Sequence, residues 1–391
     1  MKKIFFLRAG SEINSASFNR LLTIMKAVKI AGFDVELINI RPFSNEKTAD
    51  LNFTDEYNYV IDGIRSRVIK FKNEVSSNPL LAVYETVRAA KRYMYAEKGS
   101  SSVIYLYSVN ALDILLTYFI SRSLKMKFTT ERSEFPETIR NSRSIKAKIY
   151  NQFLLPVIYK LFDGIVLMTK TLVRFYSNYL RTDCKILHVP MTVDGERFGS
   201  NIEKSNYLAY IGSLNCKKDG LDLLLESVAK VKKKFPEIKL KIAGGTNKKS
   251  EEEFLVNLRE KLGLTENVEF LGWVKREDVI PFLEKAKAVV LPRPASKQAE
   301  GGFPTKLGEY LLSGNPVIVT SVGEIPEYLI NDETCYLINP GDGNELSEAI
   351  DKVFSNPEKA AEIGEKGRLF ALDTFDYRAN VDKLKDFFSK I

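Results

Sequence analysis

Short apolar segments alternate with helix-length segments along most of the chain, and this alternation constrains the fold more than any other feature. The first repeat reads KKIFFL at 2–7, a helical stretch at 18–31 closed by Gly32, and DVELINI at 34–40. A helix between two strands is the usual crossover between parallel neighbours. The second half repeats the pattern, beginning with YLAYI at 207–211. The sequence therefore predicts an α/β protein with parallel sheets.

The length of the chain indicates two domains. A chain of 391 residues can form two sizeable cores. The polar segment GSNIEKS at 199–205 has the composition of a linker. We therefore predict one domain over 1–199 and a second over 200–375.

Composition and charge limit the class of protein and its partners. No apolar run approaches the ~18 residues of a membrane span, and the first residues lack the form of a signal peptide. The three widely spaced cysteines indicate reduced thiols in a cytoplasm. Residues 1–200 hold 30 Lys and Arg against 19 Asp and Glu, a net +11, which leaves −3 for the rest of the +8 total. Anionic lipid, a phosphorylated acceptor or nucleic acid could each use the basic half.

Two of these partners can be weighed from the pattern of side chains. Nucleic acid is disfavoured, because aromatic residues do not interleave with the basic ones as a stacking platform requires. The segment 139–161 places Arg140, Arg143, Lys146 and Lys148 before large apolar residues. Such a helix can lie at an anionic membrane surface, although it more often packs against its own domain, and Pro156 interrupts it. We expect a cytoplasmic protein, with peripheral contact at the inner membrane face left open.

The stretch at 300–327, EGGFPTKLGEYLLSGNPVIVTSVGEIPE, carries the clearest chemical signal. A Gly301–Gly302 pair leads into a predicted helix at 305–313, which Gly314 closes, and a buried strand at 316–321 follows. A glycine-rich loop before a helix suits a phosphate. Glu309, one turn into the helix, can accept hydrogen bonds from a ribose. The sequence thus predicts a nucleoside diphosphate sugar here, with an ordinary loop–helix–strand carrying a surface glutamate as the alternative.

This stretch resembles the donor-site signature of retaining glycosyltransferases of GT-B family 4, the group 1 transferases of bacteria. The family pattern has two glutamates separated by seven residues, followed by a small-residue turn and a PVI-type strand. Glu309 matches the second glutamate, which the family uses for the ribose. The first falls on Gly301, so Glu300 is one residue out of register. The resemblance implies two Rossmann-like domains facing a central cleft, with a C-terminal helix at 376–391 crossing back to the first domain.

The resemblance also implies roles for other residues. The family has an arginine after the glycine of the first strand–loop and a lysine before the next glycine, which together clamp the donor diphosphate. Here Ser213 replaces that arginine, and Lys218 is our choice for the lysine, with Lys217 second. We expect the donor to be bound by a set that follows strand ends or the central motif: Gly10, Gly212, Ser213, Lys218, Gly244, Val274, Arg293, Gly302, Phe303, Pro304, Thr305, Lys306 and Glu309.

Three residues are candidates for contact with the reacting sugar. Glu131 and Arg132 follow a predicted strand, where α/β proteins place ligand groups; an ion-pair loop is the alternative. Glu300 replaces the missing first glutamate if Gly301 and Gly302 form a bulge, which requires a positive φ.

The activity implied by the resemblance is the transfer of a sugar, with retention and without a metal, from a UDP- or GDP-linked donor. The acceptor would be a hydroxyl of a saccharide or a lipid-linked saccharide in bacterial polysaccharide or glycolipid synthesis. No cofactor is expected. A nucleotide-sugar-binding protein without catalysis, or a GT-B sugar epimerase or phosphorylase, stays open as an alternative.

Overall fold

The computed structural model describes residues 1–9, 16–41, 51–99, 101–136, 154–199, 203–246 and 248–391. Within them the chain forms two compact units. The first contains Met1–Pro190 and Tyr377–Ile391, and the second contains Met191–Asp376. The C-terminal residues thus belong to the same unit as the N-terminal half.

The boundary between the units lies between Pro190 and Met191. The linker-like composition of 199–205 had predicted it at residue 199. The residues just after Pro190 are bonded into the second unit. The Sδ atom of Met191 accepts a hydrogen bond from the Gly308 amide at 3.1 Å. The Val193 amide donates to the Phe375 carbonyl at 2.9 Å. The second unit therefore begins at Met191, before the segment 199–205 that was predicted to be the linker.

Nine strands form the sheet of the first unit in the described residues. They are β1 (Lys3–Arg8), β2 (Asp34–Asn39), β3 (Asn52–Phe53), β4 (Asn58–Ile61), β5 (Ile64–Val68), β6 (Ser102–Tyr107), β7 (Lys127–Arg132), β8 (Gly164–Leu167) and β9 (Lys185–His188). Their spatial order is β3-β4-β5-β2-β1-β6-β7-β8-β9. The pairs β3–β4 and β4–β5 are antiparallel, and the other neighbours are parallel. The parallel core confirms the prediction, while the antiparallel edge was not foreseen.

The helices of this half cover the sheet. They are α1 (Ala16–Ile30), α2 (Pro79–Glu97), α3 (Ala111–Ser123), α4 (Leu155–Ile158) and α5 (Lys170–Ser177). Sequence fixes the start of α2, because the Asn78 side chain accepts hydrogen bonds from the amides of Leu80 and Leu81, ahead of a first-turn proline. The Asn110 side chain caps α3 in the same way, by accepting from the Leu112 amide.

The second unit is a parallel sheet of six strands in the described residues. The strands are β10 (Tyr207–Ile211), β11 (Lys239–Ala243), β12 (Val268–Gly272), β13 (Ala288–Leu291), β14 (Val317–Thr320) and β15 (Tyr336–Ile338). The helices are α6 (Cys216–Asp219), α7 (Leu221–Lys232), α8 (Lys249–Lys261), α9 (Arg276–Lys285), α10 (Lys297–Gly301), α11 (Lys306–Leu312), α12 (Ile325–Tyr328), α13 (Gly343–Ser355) and α14 (Pro357–Thr374). The last helix of the chain, α15 (Val381–Lys390), returns to the first unit.

Helix α15 completes the core of the first unit. Phe387 and Phe388 of this helix are buried in one apolar cluster with Phe18 and Met25 of α1. A Cβ at Gly164 would lie 2.8 Å from the Phe387 ring, so glycine at this position lets α15 pack closely on β8. The first unit therefore needs the end of the chain to close its core.

The strand order of the second unit locates its ligand-binding edge. That order is β12-β11-β10-β13-β14-β15. The chain moves outward in one direction from β10 and in the other from β13, so the order reverses between these two strands. In open parallel sheets, ligands bind beyond the carboxyl ends of the strands at such a reversal. The loops after β10 and β13 are therefore the first place to look for a site.

In the parts of the chain that the structure describes, no helix combines the length and apolarity needed to span a bilayer.

Candidate functional site

The loops after β10 and β13 touch at one glycine. Gly220 closes α6 with φ +71, and a Cβ at this position would lie 2.1 Å from the Pro292 carbonyl oxygen. Only glycine tolerates both the left-handed backbone and that close approach. The contact brings Asp219, just before the glycine, next to Arg293, just after the proline.

Asp219 is the centre of a buried ionic cluster. Its carboxylate accepts hydrogen bonds from the Lys306 ammonium at 2.9 Å and from the Tyr210 hydroxyl at 2.7 Å. The Nε atom of Arg293 lies 3.7 Å from the other carboxylate oxygen. The side chain of Asp219 is 1% exposed and that of Lys306 is 18% exposed. Two cations thus converge on one buried anion, and Lys306 keeps some access to solvent.

The charges in this cluster support one another. Burial lowers the pKa of Lys306 below 10.5, and the neighbouring Asp219 carboxylate opposes that shift. Burial alone would raise the pKa of Asp219, but the charge and hydrogen bond of Lys306 hold it below 3.8. The cluster carries one net positive charge when all three groups are ionised, so it can accept a further anion.

Lys306 lies beside the position where the resembled family has its arginine. A Cβ at Gly212 would be 2.2 Å from the Lys306 Nζ atom. The Ser213 hydroxyl lies 3.4 Å from the same Asp219 oxygen that holds Lys306. Gly212, Ser213, Arg293 and Lys306, which were all predicted for the donor site, lie together around Asp219 in the structure. Asp219 was not predicted, and its signal was an acidic residue between Lys218 and Gly220.

The predicted clamp lysine lies at the rim of this cluster. Lys217 and Lys218 are both exposed on α6. Lys218 is nevertheless close enough for its charge to lower the pKa of Lys306. The buried cations of the site are therefore Lys306 and Arg293, and Lys218 adds a third positive charge from the solvent side.

Glu309 lies on α11, one turn beyond Lys306. Burial raises its pKa above 4.5, and the charges of Arg197 and Arg276 act against that shift. Its carboxylate accepts a hydrogen bond from Arg197 Nη1 at 3.4 Å. The predicted ribose ligand is thus a half-buried carboxylate that already has one arginine beside it.

The loops after β10, β11 and β12 are joined by backbone hydrogen bonds. The Gly212 amide donates to the Ala243 carbonyl at 3.0 Å, and the Gly244 amide donates to the Gly272 carbonyl at 2.6 Å. A Cβ at Gly244, whose φ is +118, would lie 1.8 Å from the Gly212 carbonyl oxygen. The predicted donor residues Gly212, Gly244 and Val274 therefore belong to three loops at one edge of the sheet.

The glycine pair before α11 adopts a different shape from the one expected. Glu300 and Gly301 end the short helix α10, which the Ser296 hydroxyl caps by accepting from the Ala299 amide at 3.1 Å. Gly302 is extended, with φ −102, and neither glycine of the pair has a positive φ. The expected bulge is wrong, because a helix forms instead, and Glu300 stays exposed at its end.

The residues that follow serve mainly to anchor the motif. Phe303 is 5% exposed, and its ring packs against Tyr328 and Phe375 with centroids 5.6 and 5.5 Å apart. Pro304 is also buried, and Thr305 is half-buried at the start of α11. This packing fixes the direction of α11 and hence the positions of Lys306 and Glu309.

Glu131 and Arg132 have protein partners deep inside the first unit. Glu131 accepts hydrogen bonds from Arg20 Nε at 3.0 Å and from the Tyr105 hydroxyl at 2.5 Å. Arg132 Nε donates to the Tyr159 hydroxyl at 2.6 Å, and Arg132 is 2% exposed. Their predicted contact with substrate stays a prediction. Gly10, also predicted for the donor site, lies outside the described residues.

Across the described ranges, no group of three or more His, Cys, Asp and Glu side chains is arranged to hold a metal ion.

Comparisons with known proteins agree with this description of the second unit. Residues 193–370 match the family described as glycosyl transferases group 1. The chain is 24% identical over 239 residues to the GDP-mannose-dependent alpha-(1-6)-phosphatidylinositol monomannoside mannosyltransferase of Mycolicibacterium smegmatis, an alignment covering 56% of this chain. It is 24% identical over 196 residues, 49% of this chain, to the MMP alpha-(1->4)-mannosyltransferase of Mycolicibacterium hassiacum. These alignments span only 62% and 46% of the two relatives.

Solved structures resemble the chain over nearly its whole length. Anabaena HepE (Alr3699) in complex with UDP has a TM-score of 0.73 at 15% identity and covers 100% of both chains. Sucrose-phosphate synthase from Thermosynechococcus elongatus has a TM-score of 0.71 at 17% identity and covers 99% of this chain and 98% of its own. At these identities the likeness concerns the fold alone. It shows that this chain has the GT-B fold, and residues 193–370 resemble the glycosyl transferases group 1.

Proposed function

We propose that this protein transfers a sugar from a nucleoside diphosphate sugar to a hydroxyl group, with retention of the anomeric configuration. One observation carries the proposal. Lys306 and Arg293 converge on Asp219 where the strand order of the second unit reverses. This is the edge of a parallel sheet at which ligands bind, and two cations there suit a diphosphate.

The cation cluster supplies the charge that the reaction needs. When the bond to the sugar breaks, negative charge grows on the leaving diphosphate. Lys306 and Arg293 are held in place before the reaction, so they stabilise this charge without rearrangement. Lys218 adds positive charge from the solvent side. We propose that these side chains meet the charge requirement, so that transfer proceeds without a metal ion or other cofactor.

Glu309 is the proposed ligand of the donor ribose. A carboxylate can accept hydrogen bonds from both ribose hydroxyls, and bonds to a charged acceptor are the stronger kind. Arg197 already contacts this carboxylate at 3.4 Å, and the proposal is that it orients Glu309. The base remains open between UDP and GDP, since one relative is named for GDP-mannose and HepE was solved with UDP.

The acceptor and location are the coarser part of the proposal. We propose a saccharide or lipid-linked saccharide acceptor in bacterial polysaccharide or glycolipid synthesis, because one relative is named for a phosphatidylinositol mannoside. We place the enzyme in the cytoplasm, with contact to the inner membrane face. Residues 139–153 of the predicted contact segment 139–161 lie outside the described part of the chain.

Nucleotide binding tests this function. Titration calorimetry with UDP, GDP, CDP and ADP should identify a nucleotide that the native protein binds. Lys306→Ala should weaken that binding by about 1.5–3 kcal/mol, the contribution of one hydrogen bond to a charged group. Lys230→Ala is the matched control, because Lys230 contacts Asn344 on the surface of the same unit. If no nucleoside diphosphate binds the native protein, the proposed function is wrong.

A second measurement separates transfer from its alternatives. Incubation with the matching nucleotide sugars and an acceptor panel, followed by NMR of the product, reports both transfer and anomeric configuration. Nucleotide binding without any product would indicate a binding protein. Release of an epimerised sugar without acceptor, or dependence on phosphate, would indicate an epimerase or a phosphorylase.

A further inference from the structure

Helices α2 and α3 of the first unit lie side by side and expose an unusual amount of apolar surface. On α2, Leu80 is 70% exposed and Tyr95 is 65% exposed, and on α3 Phe119 is 66% exposed. Leu81, Tyr84, Leu112 and Leu115 are exposed on the same two helices. Concentration of large apolar side chains on one surface of a folded domain marks an interaction site. We call this surface the α2–α3 face.

The α2–α3 face is also basic. Arg88, Lys91 and Arg92 are exposed on α2 between Tyr84 and Tyr95. Within the described residues, no carboxylate lies within ion-pair distance of these three cations. Their positive charge is therefore available to a partner.

The carboxylates of the two helices are already engaged. Glu85 accepts a hydrogen bond from the Ser76 amide at 3.1 Å, and Glu97 lies 3.4 Å from the Lys3 ammonium. Asp113 on α3 is buried and paired with Arg41. Glu97 and Asp113 are thus each paired with a cation, and Glu85 is the one carboxylate of the two helices whose charge is not paired with a cation in the described part of the chain.

A groove runs between the two helices. Its volume is about 530 Å³, and its lining combines apolar side chains with the cations named above. Leu116 and Ile120 of α3 face Val87 of α2 across it. The α2–α3 face thus has cations beside a recess that can accept apolar groups.

The apolar surface continues onto a third helix. The short helix α4 packs against α3. Leu154, just before α4, is 43% exposed, and Val157 within it is 60% exposed. Exposed apolar side chains therefore occur on three neighbouring helices.

We propose that the α2–α3 face docks on an anionic lipid bilayer. Cations that neighbour exposed leucine, tyrosine and phenylalanine match a membrane interface, where anionic headgroups lie above acyl chains. A second copy of the chain fits less well, because a two-fold contact would set Arg88, Lys91 and Arg92 against like charges. Nucleic acid would use the cations and rings but leave the leucines without a partner. This inference does not depend on the proposed sugar transfer.

Flotation with lipid vesicles tests the inference on the full chain. The probes are vesicles of phosphatidylcholine alone and of phosphatidylcholine with about 30 mol % phosphatidylglycerol. We expect binding to the anionic vesicles, weaker binding at high salt, and little binding to the neutral ones. The triple variant Arg88→Gln, Lys91→Gln, Arg92→Gln should bind the anionic vesicles on the order of a hundredfold more weakly, because each lost cation removes a similar share of the attraction to the anionic surface.

The apolar part of the face needs its own variant. Tyr84→Ser with Phe119→Ser keeps all charges and should weaken binding at least about tenfold, because two exposed rings are lost from the interface. The matched control is Phe254→Ser with Leu369→Ser, since both residues are about half exposed in the second unit. For the charge variant, Lys233→Gln, Lys261→Gln, Lys385→Gln removes the same charge from exposed positions elsewhere.

The outcomes separate the competing partners. Equal loss of binding in the control variants would show a general charge effect and overturn the proposal. A second result would also overturn it. In that result both α2–α3 variants bind vesicles like the native protein, and binding is lost only when Arg140, Arg143, Lys146 and Lys148 are changed. A different result would identify the face as a contact between copies of the chain. In that case the native chain would not bind anionic vesicles and would sediment as a dimer, and Tyr84→Ser with Phe119→Ser would dissociate that dimer.

Discussion

Replacing Asp219 by asparagine tests the ionic cluster of the second unit most directly. Asparagine has nearly the same shape and can still accept the hydrogen bond from the Tyr210 hydroxyl, which lies 2.7 Å from the carboxylate. The substitution removes only the negative charge. Lys306 and Arg293 are then left as neighbouring buried cations without their shared anion.

The expected loss of stability follows from the burial of this pair. Removing one partner of a fully buried ion pair costs about 3–5 kcal/mol. The Lys306 side chain is 18% exposed, so water replaces part of the lost interaction. We therefore expect Asp219→Asn to lower the free energy of unfolding of the second unit by about 2–3 kcal/mol at neutral pH.

The stability difference between the native protein and Asp219→Asn should depend on pH. The pKa of Asp219 is held below 3.8 in the folded protein, so the stability that its charge contributes is complete above that value. It is lost as the pH falls through the folded pKa. The difference between the native protein and Asp219→Asn should therefore be constant near neutral pH and shrink in acid below 3.8.

Nucleotide binding gives a second readout that a purely structural role would not change. Asp219 opposes the lowering of the Lys306 pKa by burial. In Asp219→Asn that support is gone, so Lys306 should lose its proton at a lower pH than in the native protein. The affinity of the variant for a nucleoside diphosphate should then fall as pH rises toward about 9, more steeply than native affinity.

Urea denaturation followed by circular dichroism measures the stability, and titration calorimetry measures the affinity. The control is Asp351→Asn, which removes a surface partner 2.7 Å from the Lys234 ammonium and should cost no more than about 1 kcal/mol. If Asp219→Asn and Asp351→Asn cost the same, the burial argument is wrong. Native-like affinity in Asp219→Asn at every pH would show that Asp219 does not support Lys306.

Three further substitutions test the remaining donor residues by nucleotide titration and transfer assays. Glu309→Gln should weaken nucleotide binding by about 1.5–3 kcal/mol through the ribose, and unchanged affinity in a folded variant would remove that role. Lys218→Ala should raise the KM for the donor and lower kcat, but less than Lys306→Ala does, because Lys218 is exposed. If Lys217→Ala alone has this effect, the third cation is misassigned. Glu300→Ala should leave transfer and binding of the bare diphosphate nearly unchanged, because Glu300 is exposed and the bulge that would direct it to the sugar is absent; a strong loss of transfer would contradict this.

The parallel cores of both units could be predicted because each strand and helix carries its own local signal. Gly314 shows this, since the sequence predicts a left-handed residue after α11 and its φ is +70. The antiparallel edge at 52–68 was missed although it had a signal. Asp62 and Gly63 form the tight turn between β4 and β5, with φ values of 49° and 74°. An Asp-Gly pair between short strands is a strong hairpin indicator, and the polar composition of the region obscured it.

Contacts between distant residues could not be predicted in this way. Glu131 was predicted to follow a strand end, which suggested a ligand role, but it lies within β7, and its partner Arg20 comes from a helix 111 residues earlier in the chain. Similarly, Asp219 and Lys306 are 87 residues apart and meet only because β10 and β13 are neighbours in the sheet. Local patterns show which residues are available, while the sheet order decides which of them meet.

The ionic cluster also explains how the chain departs from the family pattern without losing positive charge. Relative to that pattern, Ser213 replaces an arginine. A serine there leaves space, and the structure places the Lys306 ammonium next to Gly212. Lys306 alone would be poorly stable at this depth, since burial lowers its pKa. The Asp219 carboxylate stabilises the charged form of Lys306. Gly220 positions Asp219, because only a glycine allows the close contact with Pro292. Ser213, Asp219 and Lys306 therefore form one connected group, in which the lysine ammonium and its buried counter-ion occupy the space beside Gly212.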